Sequence, residues 1–235
     1  MVKTYNIAGY HGGIGDQLQF STLPQLIHAQ GHKVNLYTGT DVLPFRNPEI
    51  RDLWERNPYI TGTSDTDWNC GDVPGLPYKN TTGSFIKNWE ATFGLPPTND
   101  LPIIYHTPTK IPEIYGVIEL SAHTLKYNSE AVNDQVYALI AQYNMPFVQL
   151  ASPHQANPIT IPDIPTMPLN GIFHAFDIFA SCKCLITLNS GLHSVGAAVR
   201  RIHSFDQYCF LPNKDWDWIM SDKKFIFEGI KYLEI

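Results

Sequence analysis

Five prolines fall between residues 96 and 112, at Pro96, Pro97, Pro102, Pro108 and Pro112. Proline fixes φ, removes a backbone donor and pushes the residue before it out of the helical region, so this stretch cannot be a regular helix. It suits an extended crossing between two lobes. The 235-residue chain is therefore expected to divide into residues 1–108 and 109–235, with core-forming sequence on both sides.

The first part opens on an apolar run at 5–8 followed by Gly12-Gly13-Ile14-Gly15-Asp16, which reads as a strand, a tight glycine turn and the start of a helix carrying an acid. At about 100° per residue, Asp16, Phe20, Leu23 and Ile27 share one side, placing the carboxylate at the head of an inward stripe. An acid there is either a cap or a chemical tool. Pro24 predicts a kink, or a helix regular only from that point. A half-alternating strand at 32–38 follows and completes a βαβ unit with parallel strands. Beyond it the pattern weakens, with helices expected at 48–56 and 83–93.

After the prolines the pattern restarts. A strand at 115–120 leads into a loop with His123, Thr124 and Lys126, a helix at 130–143 and a strand at 146–150. A helix at 169–181 and a fully apolar strand at 184–188 come next. The turn Asn189-Ser190-Gly191 then opens a helix over 192–200 with Leu192, Val195 and Val199 inward. The tail, 216–235, mixes aromatic and apolar residues and is expected to pack back across the lobes.

With 43% hydrophobic and 16% charged residues the chain is not disordered, and a net charge of −6 leaves no basic face for nucleic acid. The amino-terminal residues run into a strand without a long apolar core, so no signal peptide or membrane span is expected, and the protein is placed in the cytoplasm. The four cysteines are too few and scattered for a disulfide framework. Cys182 and Cys184 sit in an apolar run with no second pair at zinc spacing, so they are read as buried thiols and no metal is assigned.

In open parallel sheets, ligands bind beyond the carboxyl ends of the strands. Three places qualify: 12–16, 121–126 and 189–193. At the third, Ser190 and Gly191 either form a plain helix cap or expose N–H groups to a phosphate, with Lys126 as countercharge or as an ordinary solvated lysine. His11 could contact a phosphate or an acceptor. The first turn lacks the G-x-G-x-x-G spacing and the second strand ends at Tyr37-Thr38 without a ribose-binding acid, which argues against a nicotinamide enzyme. The tryptophans could stack sugars, but packing is the plainer use of most of them.

Several of these motifs carry a family resemblance. The segment from Gly12-Gly13-Ile14-Gly15-Asp16 to Thr22-Leu23-Pro24 resembles the opening of the heptosyltransferases, glycosyltransferase family 9. The strand at 115–120 with its loop through Thr124 to Lys126 is similar to the family's phosphate-side loop, and 164–169, with Met167, resembles the segment lining the base pocket. The run 186–198 resembles the strand, turn and helix at the donor phosphates, which include Asn189, Ser190, Gly191, Leu192 and His193.

The resemblance implies an α/β, GT-B-like fold, with two Rossmann-like lobes whose parallel sheets face a central cleft. Residues 1–108 would be the acceptor side and 109–235 the nucleotide-sugar side. It implies metal-independent transfer of a hexose or heptose, with inversion, from a nucleoside-diphosphate donor to a glycan or other hydroxyl acceptor. The substrate would be a nucleotide sugar, with an ADP-linked one among the candidates, and no cofactor would be needed. Asp16 would be the general base, with Gly12, Gly13 and Gly15 shaping its turn, and Lys126, Ser190 and Gly191 would stabilise the leaving diphosphate.

Three departures stand out. The family usually has aspartate where Asn189 stands, its histidine falls at the position of Ser194 rather than His193, and typical members are longer, mostly after Thr38. A catalytically inactive nucleotide- or glycan-binding protein on the same scaffold is the alternative. At Asp16 a helix N-terminus lowers a carboxylate pKa and burial raises it, and the sequence leaves that balance open.

Overall fold

The computed structural model describes residues 1–7, 13–39, 48–67, 69, 85–112, 116–122, 127–151, 157–212 and 226–235. The chain divides into two compact units, Met1–His106 with Ile219–Glu228, and Thr107–Trp218 with Gly229–Ile235.

The first unit holds a parallel sheet in the order β1 (Thr4–Ile7), β2 (Lys33–Tyr37), β3 (Gly62–Ser64), with Ile7 beside Leu36 and Leu36 beside Thr63. The parallel βαβ unit expected from the sequence is present. Its crossover is two helices rather than one: α1 (Ile14–Leu18) stops, the chain turns through residues 19–22, and α2 (Leu23–Ala29) begins with Pro24 in its first turn. That is where a missing N–H costs nothing and the fixed φ suits a helix. The expected stripe does not run along one helix and Asp16 at its head is only half-buried, yet Phe20, Leu23 and Ile27 are each at most 1% exposed. They pack with Ile7, Val34, Leu36, Ile50, Trp54, Trp89 and Leu95, drawn from the sheet, α3 (Pro48–Glu55), α4 (Phe85–Thr92) and the residues just after α4. Burial of each such side chain is worth roughly 1.5–3 kcal/mol. Trp54 and Trp89 are thus core residues.

Residues after α4 are latched onto it. Glu90, fully buried, accepts hydrogen bonds from the Thr98 amide at 2.8 Å and the Thr98 hydroxyl at 2.7 Å. Lys87 pairs with Asp100, which adopts a left-handed φ of 60°. The proline-rich segment therefore leaves the first unit on a fastened path, without helix or strand from residue 95 to residue 111.

The second unit is a six-stranded, all-parallel sheet. Its strands follow one another as β4 (Gly116–Glu119), β5 (Phe147–Ala151), β6 (Thr166–Pro168), β7 (Cys184–Leu188), β8 (Asp206–Leu211) and β9 (Lys231–Glu234), and lie side by side as β6-β5-β4-β7-β8-β9. Numbered within the unit that order is 3-2-1-4-5-6, the doubly wound Rossmann arrangement, whose direction of winding reverses between β4 and β7.

Its helices α5 (Ser129–Ile140), α6 (Ile172–Ser181) and α7 (Gly191–Val199) bury apolar faces, such as Val132, Val136 and Leu139 of α5 and Phe176 and Phe179 of α6. Asn128 caps α5 by accepting from the Glu130 and Ala131 amides. Cys182, Cys184 and Cys209 are buried free thiols, as read from the sequence for the first two, and burial raises all three pKa values, that of Cys184 to about 12. Among the described tail residues, 226–228 belong to the first unit and β9 to the second, so the tail contributes to both.

Candidate functional site

The reversal of strand order places the carboxyl ends of β4 and β7 side by side, with Glu119 opposite Thr187 in register. In sheets of this order the loops that leave the two central strands diverge to opposite faces, and ligands enter the crevice at that point. Asn189 and Ser190 follow β7 directly, and Ser190 is the N-cap of α7, with extended φ and ψ of −140° and 179°. Of the second and third ligand loops expected from the sequence, the described beginnings, Ser121 and Asn189-Ser190, lie at the reversal.

Three sets of buried contacts shape this corner. In the first, Glu119 has no solvent exposure and accepts hydrogen bonds from Ser121, in its own loop, and from Ser190 at 3.4 Å, across the crevice. Ser190 makes no side-chain bond to its own helix, so the leading amides of α7 are not capped by it.

In the second, the Tyr127 hydroxyl donates to the Phe210 carbonyl at 3.2 Å and accepts from the Asn189 amide at 3.1 Å. Burial pushes the Tyr127 pKa up, outweighing the Asn189 amide, so the phenol stays a neutral clamp. In the third, His193, with no exposure, contacts Thr187 Oγ1 at 3.5 Å and Gln207 Nε2 at 3.2 Å through Nδ1, and the Tyr232 hydroxyl at 3.2 Å through Nε2. Gln207 also donates to the His193 carbonyl.

Asn189, Ser190, Gly191, Leu192 and His193 are therefore brought together at the head of α7. Of these, Asn189 is 8% exposed and the His193 ring lies under the helix, engaged with β7, β8 and β9. The ring is a fastener of α7. Gly196, one turn further on, lets α7 lie close, since a Cβ there would stand 2.6 Å from a Leu185 methyl and 2.7 Å from Gln207 Nε2. Met167 sits half-buried in edge strand β6, three strand spacings from β7, or roughly 14 Å. Thr124 and Lys126 lie outside the described residues, as do His11 and Gly12.

Asp16, Gly13 and Gly15 belong to the first unit. Asp16 is half-buried at the third position of α1, and its Oδ2 accepts the Gly13 amide at 3.1 Å, the return half of a capping box whose other half a glycine cannot supply. The neighbouring Gln17 is buried and accepts the Trp54 indole N–H at 2.9 Å, which ties α1 to α3.

Glu119, Tyr127, Thr187, Gln207 and Tyr232 do not emerge as site residues from the sequence. Glu119 alone carries a readable signal, a charge inside an apolar strand, because a buried charge must be hydrogen-bonded or paired. The others act through contacts 6 to 83 positions apart in the chain, which no local pattern encodes.

Two parallel α/β units in one chain, the second doubly wound, define a GT-B-like fold. Solved structures place it further, in the fold of glycosyltransferase family 9. A family 9 glycosyltransferase from Veillonella parvula is 10% identical with a TM-score of 0.59, covering 100% of this chain and 84% of its own. The iron-containing dodecameric glycosyltransferase TibC of enterotoxigenic E. coli is 14% identical with a TM-score of 0.61, covering 89% of this chain and 59% of its own. The E. coli heptosyltransferase WaaC, solved with ADP, is 11% identical with a TM-score of 0.57, covering 100% of this chain and 91% of its own. At such identities the likeness is one of fold. No protein-family model matches the chain, and no curated protein matches it in sequence. Among the described residues, no helix is long and apolar enough to cross a membrane.

Proposed function

We propose that the protein is a glycosyltransferase acting in the cytoplasm, transferring a hexose or heptose from a nucleoside-diphosphate donor to a hydroxyl acceptor, with inversion and without a metal. The observation that carries this reading is the strand reversal between β4 and β7, which sets the uncapped head of α7 at the crevice where such sheets take nucleotides. Similarity to the fold of WaaC, solved with ADP, supports ADP-linked sugars as the first donors to try. Buried free thiols suit a reducing compartment.

In the proposed reaction the acceptor oxygen attacks the anomeric carbon while the bond from that carbon to the diphosphate oxygen breaks. Asp16 takes the acceptor proton, and the leaving electron pair stays on the diphosphate. The positive end of α7 and the Lys126 ammonium offset that charge, the part a metal would otherwise play. Met167 borders the base.

A second reading, a binding protein without catalysis, is favoured by one observation: the Asp16 carboxylate already serves as a helix cap through Gly13. A thermal-shift series with ADP, UDP, GDP and their sugars tests the common part. A nucleotide at 100 times its Kd should stabilise by about 2.7 kcal/mol, a rise of several degrees, and no rise with any of them would defeat the transferase reading and the nucleotide-binding form of the second. Transfer surviving in excess chelator supports metal independence.

A further inference from the structure

A serine at an N-cap ordinarily turns its hydroxyl oxygen to the second or third amide of the helix. Ser190 does not: its hydroxyl makes no cap bond to α7 and donates instead to Glu119 Oε2 at 3.4 Å, while Ser121 donates to Oε1. One buried carboxylate at the end of β4 thus holds a hydroxyl from each of the two loops that flank the strand reversal. A buried carboxylate is retained only where its oxygens are hydrogen-bonded or paired, and these two hydroxyls are among its partners.

We propose that Glu119 is the positioning residue of the nucleotide site. It holds the Ser190 hydroxyl away from the α7 amides, keeping donors such as the Leu192 N–H open to phosphate oxygens, and it ties Ser121 and Ser190, which begin the loops after β4 and β7, to one carboxylate. Without it, the Ser190 hydroxyl is free to cap α7 and compete with the ligand for the same donors. The ligand in this account rests on the glycosyltransferase reading, whereas the geometry does not.

The charge and positioning roles have opposite signs, which makes Glu119→Gln decisive. If Glu119 is only a nearby negative charge, removing it strengthens ADP binding. If it positions Ser190, Glu119→Gln weakens ADP binding, by roughly threefold to tenfold for the loss of one or two amide contacts. Adding Ser190→Ala to Glu119→Gln then recovers part of the loss, because the competing hydroxyl is gone. Tighter or unchanged ADP binding in Glu119→Gln, measured by calorimetry, overturns the proposal.

Amide hydrogen exchange in the ligand-free protein is the second readout. Exchange at Leu192 and His193 slows in Glu119→Gln as the released serine caps the helix, and unchanged exchange there also overturns the proposal. If the unmodified protein takes up no nucleoside diphosphate, the glycosyltransferase reading falls while the exchange measurement still decides the role of Glu119. Glu119→Asp, with a shorter arm, is expected to shift both readouts in the same direction. Failure of both variants to fold would make Glu119 a structural residue and end the positioning claim.

Discussion

The Trp54 indole donates to the side-chain oxygen of Gln17 at 2.9 Å, with both residues buried, so α3 holds the helix that carries Asp16. The substitution Trp54→Phe removes this bond and leaves a small void. The expected cost is about 2–4 kcal/mol, combining a lost buried hydrogen bond with lost packing. Thermal unfolding should then fall by roughly 5–15 °C for a chain of this size. A Trp54→Phe variant as stable as the parent would show that the bond is not a fastener.

Asp16 separates the two functional readings because an asparagine side-chain oxygen can also accept the Gly13 amide but does not serve as a base. Asp16→Asn should keep its unfolding temperature and nucleotide affinity while transfer falls by about 10²–10⁴-fold. Steady-state transfer assays beside a binding isotherm check this. Full activity in Asp16→Asn rules Asp16 out as the base and leaves it as the cap that its bond to Gly13 already makes it.

Gly196 tests how tightly α7 must sit on the sheet. Alanine is better by roughly 1 kcal/mol inside a helix, yet here its methyl would meet Leu185 and Gln207. Leu185 is fully buried, and Gln207 cannot swing aside without giving up His193. Overpacking of this kind costs about 1–3 kcal/mol, so Gly196→Ala should be destabilising on balance. A rise in unfolding temperature would mean that α7 has slack.

At the amino ends of β8 and β9, Asp206 bonds the Tyr143 hydroxyl at 2.8 Å and Lys231 at 3.1 Å, while Tyr208 bonds both Tyr143 and Lys231. Burial raises the Asp206 pKa, but Tyr143, Lys231 and Arg200 outweigh it and leave it below 3.8; bonds to Tyr208 and Asp206 put Lys231 above 10.5. A depressed acid stabilises the fold above its unfolded pKa and loses that contribution as pH falls through the folded one. A raised base does so below its unfolded pKa and loses it as pH rises through the folded one. Both groups are half-exposed, so the pair is worth about 0–1 kcal/mol. The stability difference between the parent and Asp206→Asn should therefore be level near neutrality. It should shrink below pH 3.8 and again above 10.5. A difference that instead grows in acid would contradict the direction assigned to Asp206.

Local pattern carried much of this architecture. The apolar run of β7 can only be a strand buried on both faces, and Ser190-Gly191 before Leu192 marks a helix start wherever the chain lies. By contrast β8 begins with Asp206 and Gln207, and β9 is flanked by Lys231 and Glu234, so neither shows a clean period. They are strands because β7 offers β8 an edge, and β8 offers β9 another. The interruption between α1 and α2 was only half legible, since Pro24 announces a disturbance but not that the helix stops at Leu18. His193 lies close to a motif position, yet its ring is spent on Thr187, Gln207 and Tyr232, partners that only the folded sheet supplies.

What the sequence by itself determined is the alternation of strands and helices, the proline-rich passage and the helix start at Ser190-Gly191, because φ restriction, side-chain period and capping act over a few residues. Only the tertiary structure decided the 3-2-1-4-5-6 order, and with it which loops meet, because strand pairing depends on edges brought together across long stretches of chain. The Glu119 bond to Ser190 spans 71 positions and is a product of that order. A charge in a buried strand has no readable purpose until the sheet sets its neighbours.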